Sequence, residues 1–368
     1  MKISIGSKIV DGPWGGGNLF VKNLSSYLVR NGHKVIYDLS ETDIDLILLT
    51  DPRSRKESSS TFNHLEINKY KQSVNKNVVV VQRINECDER KDTDYINDFY
   101  LEASDSADHV VFVSSWLREI YINLGMNQEK TSVILSGSNQ HIFNSNNAAY
   151  WNKTEKIKLL THHWSSHKNK GFEEYKIIDD LMKTDKWADR LIFSYVGNAS
   201  DDYKFENMNI MKPLAGKDLA SVIKEHHIYI TASINEPSGN HHIEAAQCGL
   251  PVLYINSGGI PEYCQGYGVS FEEDLESKLE NIIEEYDNLK KALKKYPFNS
   301  EQMCDEFSSL FETLVEKKPK EIRTAGLNFQ GILFILKNKF LKLFRDKIYL
   351  NFRGYISIFV RKVVKSGR

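Results

Sequence analysis

The sequence predicts an α/β chain of two doubly wound parallel-sheet domains followed by a basic, aromatic helical tail, and three observations lead there. Short Val- and Ile-rich runs alternate with amphipathic stretches. The alternation stops in a polar segment at 136–147 and starts again near residue 156. A length of 368 residues also suits two domains of the usual size, roughly 100–200 residues each.

In the first unit, residues 2–5 read as a strand, the glycine-rich 11–17 as a loop and 18–31 as a helix. Leu19, Phe20, Leu24, Tyr27 and Leu28 recur on one helical face, and Gly32 ends the helix. Residues 44–49, 78–81, 109–113 and 132–135 follow as strands apolar on both faces, as a parallel sheet requires, with a helix at 114–124. The second unit has strands at 156–162, 191–196, 228–232 and 251–255, separated by helices at 172–182, 219–225 and 239–248. The expected divisions are 1–150, 151–298, a closing helix within 299–320, and a tail over 321–368. Doubly wound sheets bind ligands beyond the carboxyl ends of their strands, which directs attention to the loops at 11–17, 82–91, 163–171 and 235–242.

Composition narrows the function classes. Hydrophobic residues at 41% and charged residues at 26% exclude a disordered or collagen-like chain. With 48 basic and 49 acidic residues the net charge is −1, which argues against a nucleic-acid partner. Residues 331–368 nevertheless hold ten basic residues and one acid, leaving about −10 for the first 330. Cys87, Cys248, Cys264 and Cys304 show no CxxC spacing, and no amino-terminal run reads as a secretion signal, so a cytoplasmic location is expected. No stretch is long and apolar enough to span a bilayer.

The strongest motif is Glu236-Pro237-Ser238-Gly239-Asn240-His241-His242-Ile243-Glu244, followed by Ala245-Ala246-Gln247-Cys248-Gly249-Leu250-Pro251-Val252 and Gly258-Gly259-Ile260-Pro261-Glu262. One carboxylate precedes a helix and the other lies about a turn and a half inside it. The unpaired amides of the helix start, around Ser238 to His242, offer an anion site between the two acids. A ligand combining phosphate with hydroxyls fits this pattern. The plain alternative is a pre-cap Glu236 and a solvated Glu244.

This string resembles the donor-site signature of the family 4 retaining glycosyltransferases (glycosyl transferases group 1), and the likeness extends over about residues 1–315. Gly15-Gly16, Leu24, Leu28 and Gly32-His33-Lys34-Val35 are similar to that family's first loop and helix. The resemblance implies a GT-B fold, two Rossmann-like domains facing a cleft, with an acceptor domain first and a nucleotide-sugar domain second. It implies that Glu236 meets the transferred sugar, Glu244 the donor ribose, and Gly15, Gly16, Ser238, Gly239, Asn240 and His241 the donor diphosphate. Lys170, before Gly171, matches the lysine that neutralises the departing diphosphate. The sequence departs from the family at Ser165, where an arginine is usual, so the missing positive charge falls to Lys168, His167 or His163, or is absent. A second departure is Ser136-Gly137-Ser138-Asn139 in place of Asn-Gly-Val-Asp.

On the acceptor side, Arg83, Asn85, Glu86 and Asp88 are unranked candidates to orient the acceptor hydroxyl or take its proton, with helix capping by Asn85 or Asp88 as the structural alternative. His162, His163, His167, His241 and His242 raise a zinc reading, but HExxH is lacking and no cysteine is near, so no metal or other cofactor is expected beyond the nucleotide diphosphate sugar as co-substrate. His163 and His241 read instead as phosphate or sugar ligands. In the tail, Phe334, Phe340, Leu341, Phe344, Ile348, Tyr349, Phe352, Tyr355 and Phe359 interleave with the basic residues. That composition suits either an anionic membrane surface met through residues 327–365 or packing on the catalytic domains.

The expectation is thus a metal-independent retaining glycosyltransferase, peripheral to a membrane, acting on a lipid-linked or cell-envelope glycan. The alternatives are a non-catalytic nucleotide-sugar or glycan scaffold of the same fold and, less well matched for want of GxGxxG, a Rossmann dehydrogenase.

Overall fold

A computed structural model describes residues 1–10, 15–53, 58–318 and 327–344. Its strands form two six-stranded sheets, parallel at every pairing. In the first, β1 (Lys2–Ile5), β2 (Lys34–Ile36), β3 (Leu46–Leu49), β4 (Val79–Ile84), β5 (His109–Phe112) and β6 (Thr131–Val133) lie in the order β2-β1-β3-β4-β5-β6. In the second, β7 (Ile157–His163), β8 (Leu191–Gly197), β9 (Asn209–Met211), β10 (Ile228–Thr231), β11 (Val252–Ile255) and β12 (Gly268–Phe271) lie in the order β12-β11-β10-β7-β8-β9. The expected GT-B architecture of two Rossmann-like units is present.

Each sheet is apolar on both faces because both are covered by helices. Along β3, Ile47 and Leu49 face a core shared with Phe62, Ile67 and Tyr70, while Leu46 and Leu48 face Phe20, Leu24 and Leu28. Phe20, Val21, Leu24 and Leu28 recur at helical spacing along the helix Gly15–Arg30, which explains its amphipathic register. The amide of His33 then bonds back to Leu28 O at 3.0 Å beyond the left-handed Gly32.

The order of the second sheet reverses between β7 and β10, and a crevice opens at the carboxyl ends of neighbouring strands at such a point. The loops that leave β7 and β10 carry Lys170 and Glu236. After the second sheet the helix Ser300–Lys317 returns to the first domain. Phe307 packs on Phe20 with ring centroids 5.2 Å apart, and Glu301 pairs with Arg30 at 2.7 Å.

The strands β2, β9 and β12 have no counterpart in the sequence reading. β2 and β9 have three residues each and no continuous buried run, and β12 buries only Phe271, so period-2 patterning has little to act on. The strand expected at 78–81 runs on to Ile84, because Gln82 and Arg83 are themselves buried. The glycine-rich loop expected at 11–17 is helical from Gly15, and its residues 11–14 lie outside the described residues.

Part of the tail packs on the first domain. Within the helix Phe329–Phe344, Ile335 joins the first-domain core, Asn338 is buried, and Phe334 stands 6.1 Å from Tyr70. Phe329, Ile332, Leu333, Leu336, Phe340 and Leu343 remain exposed. Residues 345–368 lie outside the described residues.

Candidate active site in the interdomain cleft

Three chain segments converge between the sheets. The first-domain strand β4 leads to a short helix, Asp88–Lys91. In the second domain, β7 leads to the turn Lys168–Lys170, and β10 leads through Glu236 to the helix Asn240–Gln247. Glu236 is only 6% exposed. It ion-pairs with Lys170 from its own domain and receives Arg90 Nε at 3.0 Å from the opposite one. Burial pushes the Glu236 carboxyl up, but the combined pull of Arg90 and Lys170 outweighs it and holds the group well below the usual carboxylate range. The Glu236 carboxylate in turn raises the affinity of Arg90 for its proton.

Arg90 is held on its other side by Glu86, at 2.9 Å. Further bonds cross the cleft beside it. Asn169 Nδ2 donates to Arg90 O and Asn235 Nδ2 to Glu89 O, each at 3.1 Å, and Lys168 meets Asp92 at 2.6 Å. The Gly-Gly-Ile-Pro-Glu segment adds a second junction. Gly259 N bonds Glu236 O at 2.9 Å, while Glu262 accepts the Ser115 and Trp116 amides at 2.8 and 3.0 Å, capping the first-domain helix Ser115–Asn123. Tyr263 Oη accepts from Ser136 N at 2.9 Å and donates to Val113 O.

Glu244 lies one and a half turns into its helix and is also buried, with His162 Nε2 at 3.1 Å. The helix is entered through Gly239, at φ +69°, with no side chain bonded to its first amides, so these stay able to receive an anion. A Cβ on Gly239 would lie 2.8 Å from the His241 and His242 rings and 3.0 Å from Glu236 Cγ. Gly16 opposes this helix from the first domain, since a Cβ there would be 3.1 Å from the Asn240 amide. Gly15 precedes it at φ +71°, and Ser238 is half-buried.

The structure therefore gathers Glu236, Lys170, Gly16, Ser238, Gly239, Asn240 and Glu244 around one crevice. It corrects several other expectations. His163 does not face a ligand: its ring lies within the sheet-helix core, Nε2 at 2.7 Å from Tyr175 Oη, and burial lowers its pKa far enough to leave it neutral. His241 is likewise buried and neutral, with Nε2 at 2.8 Å from Thr231 Oγ1, so only its backbone amide is placed to meet an anion. His167 Nδ1 accepts the Asn169 amide at 3.2 Å as a turn cap, and Lys168 is an exposed surface partner of Asp92. The Glu236 carboxylate pairs with none of Lys168, His167 and His163. The second cation on Glu236 is Arg90, which the sequence reading did not single out, although Arg90 lies in the loop it flagged.

On the acceptor side, Asp88 realises the capping alternative. Its carboxylate accepts the amides of Tyr95, Ile96 and Asn97 at 2.9–3.2 Å and the Thr93 hydroxyl. Glu86 is buried and committed to Arg90 and Lys91. Asn85 is half-buried, and Arg83 is buried on β4. Among the described residues no three His, Cys, Asp or Glu side chains assemble as a metal site would need, and no helix is long and apolar enough to cross a membrane.

Two facing Rossmann-like domains define the GT-B fold class. Residues 198–299 match the family described as glycosyl transferases group 1. The chain is similar to the phosphatidylinositol N-acetylglucosaminyltransferase gpi3 subunit of Schizosaccharomyces pombe, 35% identical over 79 residues, which cover 20% of this chain and only 17% of that protein. Among solved structures it resembles the apo form of the lipopolysaccharide outer core galactosyltransferase WaaB, with 13% identity, 85% of this chain and 99% of that one covered, and a TM-score of 0.64. It also resembles Anabaena Alr3699/HepE in complex with UDP, with 14% identity, coverage of 85% and 99%, and a TM-score of 0.62. At these identities the solved structures establish the fold.

Proposed function

We propose that the protein transfers a sugar from a nucleotide diphosphate sugar to a hydroxyl of a lipid-linked or cell-envelope glycan, with retention of configuration and without a metal ion. The observation that carries this reading is the buried Glu236 between Lys170 and the cross-cleft Arg90, with Glu244 on the adjoining helix. The UDP in the Alr3699/HepE structure supports a nucleotide donor, and the gpi3 relative is by its name a transferase that moves a sugar to a lipid.

In this reading Glu244 accepts from the donor ribose hydroxyls, an ionised carboxylate being an acceptor only. The first-turn amides of the helix Asn240–Gln247 and Lys170 receive the diphosphate, and Glu236 orients the transferred sugar. The acceptor oxygen attacks the anomeric carbon on the face from which the diphosphate leaves. The new C–O bond forms as the bond to phosphate breaks, and the hydroxyl proton passes to the departing phosphate oxygen. Lys170 and the amides stabilise the charge that develops there, an interaction strengthened by exclusion of water. The exposed apolar strip of the helix Phe329–Phe344, flanked by Lys337, Lys339 and Lys342, would rest on an anionic membrane surface and bring the cleft to a lipid-linked acceptor.

The test is incubation with UDP-, GDP-, TDP- and ADP-sugars separately, measuring binding by calorimetry and slow donor hydrolysis. One nucleotide should bind and release its sugar. Glu236→Ala should lose release more than binding, and Lys170→Ala should lose both. Failure of every nucleotide sugar to bind would overturn the donor-site assignment.

A further inference from the structure

Arg83 follows Val79 and Val81 on one face of β4, and that face packs against Phe20 of the helix Gly15–Arg30. Its side chain is 5% exposed, with the guanidinium carbon 4.0 Å from the centre of the Phe20 ring. Tyr263, from the second domain, is near enough to act on its charge. Burial lowers its pKa to about 10, so the group stays cationic at neutral pH.

What sets Arg83 apart is the lack of any acceptor among the described residues. Six arginines fall among the described residues. Arg30 meets Glu301 at 2.7 Å, Arg53 meets Asp51 at 2.8 Å, Arg90 meets Glu86 at 2.9 Å, Arg118 meets Thr131 at 2.8 Å and Arg190 meets Glu280 at 3.3 Å. Arg83 alone has neither a hydrogen bond nor an ion pair among the described residues, although it is the most buried of the six. A ring face offsets part of the cost of burying a cation but leaves a planar fork of five N–H donors with no protein acceptor among the described residues. A fork of that kind matches the paired oxygens of a phosphate or carboxylate. The donor diphosphate already has Lys170 and the amides of the Asn240–Gln247 helix in the second domain, whereas Arg83 belongs to the first.

We propose that Arg83 binds an oxyanion, phosphate or carboxylate, carried by the acceptor. This assignment rests on the sugar-transfer reading and narrows its acceptor to a charged molecule.

The experiment is thermal unfolding of the full chain carrying Lys170→Ala, which removes the donor-side cation and weakens anion binding at the Asn240–Gln247 helix. Inorganic pyrophosphate, a short isoprenyl diphosphate and glucuronate are added singly at up to about 10 mM, where a site of roughly 0.1 mM affinity is well filled. At least one anion should raise the midpoint by about 2 °C or more, a shift readable for a chain of this size. Introducing Arg83→Met should abolish that rise and also raise the ligand-free midpoint, because an unmatched buried charge has been removed. Arg83→Lys should keep part of the rise. A response to the two diphosphates alone identifies a phosphorylated lipid acceptor, and a response to glucuronate alone an acidic sugar. The proposal is overturned if no anion shifts the midpoint, or if Arg83→Met keeps the shift, whatever it does to the ligand-free midpoint. Binding of UDP-, GDP-, TDP- and ADP-sugars by the unmodified protein is scored separately. Its absence beside an Arg83-dependent shift would remove the sugar-transfer reading and leave the anion site standing.

Discussion

Replacing Arg90 by methionine removes a charge from the cleft while keeping most of the side chain's bulk, and the geometry sets the size of the effect. Arg90 Nε and Glu236 Oε1 are 3.0 Å apart, and the Glu236 side chain is 8% exposed. At the effective dielectric of about 20 that suits such pairs, the gross attraction is about 5 kcal/mol. Most of it is offset by desolvation of the guanidinium and by Lys170, which stays paired with Glu236 in the variant. A net loss of about 2 kcal/mol is expected, corresponding to a fall of roughly thirtyfold in kcat/KM once the donor is known. The structural part is measured without substrate by urea unfolding of Arg90→Met, Glu236→Gln and the double variant at pH 7.5. The coupling energy should be about 2 kcal/mol. Small-angle scattering should also show Arg90→Met opening in part, since what remains across the cleft is neutral bonds from Asn169 and Asn235, an exposed Lys168–Asp92 pair and the Glu262 cap. A coupling below about 0.5 kcal/mol, the level of additive, independent sites, would refute the claim that Arg90 and Glu236 act as a unit.

Acid should destabilise the protein early. His163, His241 and His242 are held below their ordinary 6.5, His242 at about 3, chiefly by burial. For groups whose folded pKa is depressed, stability is complete above the unfolded value and is lost as pH falls toward the folded one. Between pH 7.5 and 5.5 stability should fall, by on the order of 1 kcal/mol for His242 and further for His163 and His241, and a flat urea midpoint over that window would contradict the assignment of neutral rings. Asp88→Ala strips acceptors from the amides of Tyr95, Ile96 and Asn97, so it should lower stability by about 2 kcal/mol and loosen the helix that carries Arg90. A thermal midpoint equal to that of the parent would show that the Asp88 cap is dispensable. Serine at Phe329, Leu333, Leu336 and Phe340, exposed at 74, 50, 56 and 66%, should weaken co-sedimentation with phosphatidylglycerol vesicles by more than about tenfold while leaving the fold intact. Equal sedimentation of variant and parent would exclude this helix face as the membrane contact.

How far the sequence reaches depends on the range of each interaction. The alternation of two-sided apolar strands and amphipathic helices is local, so two parallel sheets were readable from the spacing of Val, Ile and Leu, as was the helix boundary at Gly32. Glu236, Gly239 and Glu244 were readable too, because one loop and one helix hold all three and their spacing is itself the motif. The edge strands β2, β9 and β12 were not, since backbone pairing, with few buried side chains, defines them.

Charge partnership was decided by tertiary structure alone. Arg90 and Glu236 are 146 residues apart and meet because β4 and β10 end on facing sides of one cleft. Lys168 and His163 carry the residue types that a phosphate site needs, yet packing turns one to the surface and the other into the core. The same holds for Arg83, whose cationic chemistry is written in its residue type while its isolation is not. A polar letter in the sequence specifies what a group can bind, and only the fold determines how much water and how many partners it keeps.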